Sequence, residues 1–152
     1  MSAKNPAFNT WLVHAVDGVT VSSATTTDSS AIDTAGFTEA ELILSFGTTT
    51  GTSGTATVSL VECDTSGGTY AAISGATTTA LTTDSGAQTD KYVSIALSLL
   101  GRERYLKVRV VTAGTVNTGA MDGFVLLGGS EIESRPPSGK TARDTTIAYV
   151  GG

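Results

Sequence analysis

Between Glu39 and Cys63 the chain switches regularly between apolar and polar positions. Leu42, Leu44 and Phe46 share one side of the first run. Ala56, Val58 and Leu60 share one side of the second, with Thr57 and Ser59 opposite. A period of two on both sides of a Gly/Thr/Ser stretch, 47–55, predicts an antiparallel strand pair with one buried face. The segment Asp64-Thr-Ser-Gly-Gly-Thr-Tyr70 should turn the chain again. Its small polar side chains bond their own backbone, and its glycines reach positive φ without a Cβ clash.

The same period recurs elsewhere. Trp11 to Val16 reads as a first strand, Gly18 as a turn into a second, and Ala31 to Phe37 as the approach to the pair. After a weak strand at Ala71 to Ile73, Val93, Ile95 and Leu97 share one face of the next run. In the run from Arg104 to Val111, Leu106, Val108 and Val110 point one way and Tyr105, Lys107 and Arg109 the other. With about eight strands and no helical period, the pattern predicts an antiparallel β-sandwich, jelly-roll-like, over residues 11–129. Its core should include Leu42, Leu44, Phe46, Val58, Leu60, Val93, Ile95, Leu97, Leu106, Val108 and Val110. Irregular arms flank it, an N-terminal one over 1–10 and a C-terminal one over 130–152.

Phe124, Val125, Leu126 and Leu127 put apolar side chains on both faces of one strand. A lone sandwich buries one face, so these four are expected to form an oligomer interface, in a homotrimer first and a dimer second. In the C-terminal arm, Pro136-Pro137 favours an extended spacer. Arg135, Lys140 and Arg143 give it positive charge suited to an acidic patch on a shell or neighbouring subunit. Ile147, Tyr149 and Val150 offer a β-like run able to pair with that partner.

Composition narrows the function classes. The 152 residues carry a net charge of −5, and only 15% are charged. So little charge leaves a surface that is hydroxyl-bearing or covered by other subunits, and the negative balance argues against a nucleic-acid partner. No apolar run approaches the ~18 residues of a membrane span, and the start lacks a signal-peptide pattern, so synthesis in a cytoplasm is expected. Cys63 is the single cysteine, read as a small buried hydrophobe.

Catalytic chemistry finds no foothold. His14, the single histidine, lies in an apolar run with no orienting acid or nucleophile in its motif, which makes it structural. The aspartates are scattered without calcium-loop spacing, so no metal site is expected. Ser134-Arg-Pro-Pro-Ser-Gly-Lys-Thr141 imitates a phosphate loop, but two positions are prolines without an N–H and a β-like run follows. Neither catalysis nor a cofactor is expected. Arg102, Arg104, Lys107 and Arg109 form a second basic group, read as a solvated face or as a contact to an acidic neighbour.

Three segments carry a resemblance: Ala31-Ile-Asp-Thr-Ala-Gly-Phe, Val61-Glu-Cys-Asp-Thr-Ser-Gly-Gly-Thr-Tyr and Gly101-Arg-Glu-Arg-Tyr-Leu-Lys-Val-Arg-Val. Over roughly Ala31 to Leu127 the chain resembles small β-sandwich virion proteins of tailed bacteriophages, in particular head decoration (cement) proteins. The resemblance implies a non-catalytic homo-oligomer, commonly a trimer, on the outer capsid surface, with the major capsid protein as partner. The alternatives are a tail, fibre or baseplate component, or a carbohydrate-binding adhesive module.

Overall fold

The computed structural model describes residues 10–129, apart from Ser22, Gly51 and positions 85–87, 89–90 and 116–117. These residues form β1 (Trp11–Val21), β2 (Thr26–Asp28), β3 (Ile32–Asp33), β4 (Glu39–Ser45), β5 (Thr52–Cys63), β6 (Ala71–Thr77), β7 (Leu81–Thr82), β8 (Tyr92–Ser98), β9 (Tyr105–Thr115) and β10 (Thr118–Gly128). All pairings are antiparallel. One sheet runs β1-β10-β4-β8 and the other β2-β9-β5-β6, with β3 also on β9 and β7 also on β5. The fold is an antiparallel β-sandwich.

The inner faces follow the alternation read from the sequence. Leu42, Leu44, Val58, Leu60, Leu106 and Val108 are wholly excluded from solvent and belong to one cluster between the sheets. Each such side chain contributes about 1.5–3 kcal/mol by leaving water. Val93 and Leu97 pack against the cluster while staying partly exposed, because β8 is an edge strand.

The strands that flank the Gly/Thr/Ser stretch do not pair with each other. β4 bonds to β10 and β8, and β5 bonds to β9, β6 and β7. The connection after Phe46 therefore crosses from one sheet to the other. It is held by Phe46 N–H donating to the Lys91 carbonyl at 2.9 Å and by buried Thr49, whose hydroxyl accepts from Gln88 N–H at 3.2 Å. Alternation shows that each strand has one inward face, and two strands facing each other across a core satisfy that as well as a hairpin does.

The predicted turn at Gly18 lies inside β1, which runs on to Val21 with register shifts after His14, Val16 and Val19. Gly18 takes φ 56 there, a left-handed backbone that suits glycine.

The three segments singled out above converge at one end of the second sheet. Thr34 N–H and hydroxyl both donate to the Arg104 carbonyl, at 2.9 and 2.7 Å. Cys63 sits opposite Tyr105 in the register and forms a small outer cluster with Val61 and Tyr70. The Tyr70 hydroxyl closes the turn by donating to the Ser66 carbonyl at 3.0 Å. A Cβ at Gly68 would run into Cys63 Sγ and Thr65 Oγ1, so glycine is needed at position 68 for a turn this tight.

Candidate interaction surface

The outward positions of the β1-β10-β4-β8 sheet are those of the opposite parity to the core. The register sets them in rows: Leu12, Leu126, Glu41 and Ala96 lie side by side, and His14, Phe124, Ile43 and Ser94 form the next row. Asp122, Ser45 and Tyr92 form the third. Leu12 is 52% exposed, Ile43 and Phe124 are each 37% exposed, and Leu126 is half-buried. Neighbouring outward apolar side chains on one sheet face make a patch, and such patches on soluble proteins commonly mark contact sites.

His14 belongs to this face. Its ring stacks on Phe124, with centroids 4.7 Å apart and planes at 18°. Its Nε2 stands 3.7 Å from Asp122 Oδ1, which also accepts from Gly18 N–H at 3.1 Å. The irregular register of β1 brings Asp17 to the same place, so that one donor atom from each of His14, Asp17 and Asp122 lies within 4.8 Å of the others. One imidazole and two carboxylates are donors that a divalent cation accepts. In the structure they form an exposed, partly ion-paired rim. Local sequence could not show this group, because Asp122 is 108 residues from His14 and only the β1–β10 pairing joins them.

Toward the other end, Glu39, Glu41, Ala96, Ser98, Leu126 and Gly128 line an open groove of about 560 Å³. Ser94 Oγ donates to Glu41 Oε1 at 2.8 Å, and among the described residues neither Glu39 nor Glu41 has a cationic partner. The apolar patch is thus flanked by carboxylates at both ends.

The outer face of the other sheet is mostly polar, with Val111 as its exposed large apolar side chain, and its arginines are paired within the chain. Arg104 grips Asp33 with two bonds, Nε to Oδ1 at 3.0 Å and Nη2 to Oδ2 at 2.8 Å. Arg109 does the same to Asp28, both bonds at 2.7 Å. Arg102 Nη1 reaches Glu62 Oε1 at 3.1 Å, and the Lys107 ammonium lies 4.5 Å from the Tyr70 ring centroid. The Arg109 guanidinium, through these hydrogen bonds, holds the Asp28 carboxyl below its ordinary range. Asp33 likewise raises the Arg104 guanidinium, by hydrogen bonding and then by charge. The three arginines of the basic group read as a contact for an acidic neighbour are therefore matched within the chain, by acids 40, 71 and 81 residues away, while Lys107 lies over the Tyr70 ring.

The four residues expected at an oligomer interface divide by parity. Phe124 and Leu126 lie on the outer face, whereas Val125 and Leu127 are fully excluded from solvent in the core cluster. Val125 and Leu127 are accordingly core residues, since the opposite sheet of the same chain already covers them. Gly123 shares their parity and explains the fit: a Cβ there would come 2.7 Å from Leu44 Cδ1. The arm residues Arg135, Lys140, Arg143, Ile147, Tyr149 and Val150 lie outside the described residues.

No protein-family model and no curated protein matches the sequence. Among solved structures, the chain is similar to the PBSX exported protein XepA, with a TM-score of 0.53, 12% identity and 86% of this chain covered. It is also similar to a structure of infectious bursal disease virus, Gt strain, with a TM-score of 0.50, 14% identity and 78% covered. The chain spans 41% and 31% of those two chains. At such identities the likeness shows a shared fold.

Proposed function

We propose that the chain is a structural virion protein that binds the outside of a bacteriophage capsid, as a homo-oligomer, and stabilises it. The observation that carries this reading is the contrast between the two outer faces. One has its arginines matched by the chain's own acids, and the other leaves Leu12, Ile43, Phe124 and Leu126 open beside Glu39 and Glu41, which have no cationic partner among the described residues. A surface of that kind is completed by neighbouring chains, as in an assembly. The chain crosses repeatedly from one sheet to the other, as at β3–β4, β4–β5 and β8–β9, an arrangement that fits a jelly roll, an architecture used by viral shells and lectins. The shared fold with XepA and with the virus structure supports the viral side of that choice. A trimer on the major capsid protein is the assembly we favour.

The test is to separate virions of the encoding phage into heads and tails and to quantify the chain by mass spectrometry. The reading predicts many copies in the head fraction. Recovery with tails would replace it with a tail, fibre or baseplate role. Absence from both, with binding on a glycan array, would replace it with an adhesive role.

A further inference from the structure

The open face and the C-terminal segment beyond Gly129 are complementary in both charge and polarity. Among the chain's nine cations, Arg135, Lys140 and Arg143 stand in a stretch, 135–143, without any acid. On the face, Glu39 and Glu41 have no cationic partner among the described residues, and the patch of Ile43 and Phe124 begins one row further along. Arg143 precedes Ile147 and Tyr149 by four and six residues, so an extended segment would place them about 13 and 20 Å beyond it. In an extended chain these two share a side. From Glu39 the seven-residue strand β4 runs about 20 Å to Ser45 past this patch, on the same scale.

The place where β10 ends bears on whose segment sits there. Gly128 is the register partner of Glu39 and lines the groove itself. Within one copy, the first side chains to pass the groove would be Glu131 and Glu133, acids against acids, which is unfavourable. Arg135 comes six residues after Gly129, about 20 Å away if extended, and Pro136-Pro137 opposes doubling back. A segment arriving from another copy has no such constraint and can lay its cations on Glu39 and Glu41 first.

We infer that the outer face of the β1-β10-β4-β8 sheet is the seat for the C-terminal segment, 130–152, of a second copy of this chain. Arg143 lies at Glu39 and Glu41, with Lys140 and Arg135 leading up to them, and Ile147 and Tyr149 run on over the patch of Ile43 and Phe124. This rests on the structural reading above and names the partner of its open face. Exchange of segments between copies links them without any change in the sandwich.

Charge reversal in the full-length chain tests it. One variant carries Glu39→Lys and Glu41→Lys, and a second carries Arg135→Glu, Lys140→Glu and Arg143→Glu. Circular dichroism confirms that each is folded, and sedimentation velocity at low and moderate salt measures association. The wild-type chain should self-associate, more weakly as salt rises, and each variant alone should associate about tenfold less tightly or worse. An equimolar mixture of the two should recover association, because each reversed face meets a reversed segment only on the other chain. A mixture no better than its components overturns the inference, as does a variant that associates like the wild type or a wild-type chain that stays monomeric. A single chain with all five reversals that associates while the mixture does not would put the segment on its own copy, and overturns it too. Shell binding is scored separately on the wild-type chain, so a failed exchange and a failed capsid role give different results.

Discussion

Arg104 closes a two-bond clamp on Asp33 across 71 residues of sequence, with the carboxylate side chain only 5% exposed. The same carboxylate accepts from Ala35 N–H at 3.1 Å, so it also shapes the turn that leads to β4. Removing the guanidinium would take two charge-assisted hydrogen bonds from a buried carboxylate, which is far costlier than losing an exposed pair. Arg104→Met should therefore lower the urea midpoint clearly more than Arg102→Met, whose pair with Glu62 is a single bond. Equal midpoints for the two would contradict this role for the clamp.

Asp28 makes stability depend on acid. Its carboxyl titrates below the ordinary value of 3.8, first because Arg109 donates hydrogen bonds to the ionised form. A depressed folded-state value means the pair contributes fully above the unfolded value and is lost as pH falls through the folded one. Urea midpoints should be flat above about pH 5 and fall below about pH 4, and Arg109→Met should flatten part of that fall.

The interior alternation could be read from the sequence because burial on one face of a strand is a local property. Leu42, Leu44, Val58, Leu60, Leu106 and Val108 were all identifiable in that way, and all are fully buried. Leu44→Ala should cost about 2–5 kcal/mol, as a fully buried leucine leaves both lost transfer energy and a cavity. Val93→Ala, at a partly exposed edge position, should cost much less, about 1 kcal/mol. Denaturant titration of the pair checks the order.

What alternation does not carry is the identity of a strand's neighbour. β4 and β5 look like a hairpin because each alternates and a short polar stretch joins them, yet their hydrogen bonds go to strands far along the chain. The acids that match Arg102, Arg104 and Arg109 were hidden for the same reason. So was the meeting of His14, Asp17 and Asp122, which depends on the β1–β10 pairing and on an irregular register. At Phe124 to Leu127 the parity was visible, but which parity faces inward depends on packing, here on Gly123 beside Leu44.

The Asp64–Tyr70 turn is a second place where one atom matters. Gly68→Ala forces a methyl against Cys63 Sγ and Thr65 Oγ1. Overpacking of this kind typically costs about 1–3 kcal/mol. Thermal unfolding should show the loss, and Gly67→Ala, where a Cβ meets nothing within 4 Å, should show much less.

In the proposed assembly neighbouring copies complete the open face of the β1-β10-β4-β8 sheet, and only the assembled chain binds the shell. The most direct measurement of this is co-sedimentation of the full-length chain with capsid shells of the encoding phage, wild type against Ile43→Asp with Phe124→Asp. Both positions are partly exposed, so the double variant should stay folded by circular dichroism. The wild-type chain should pellet with the shells and the folded double variant should remain in the supernatant. A wild-type chain that stays in the supernatant, or a double variant that pellets as completely as the wild type, would contradict the account.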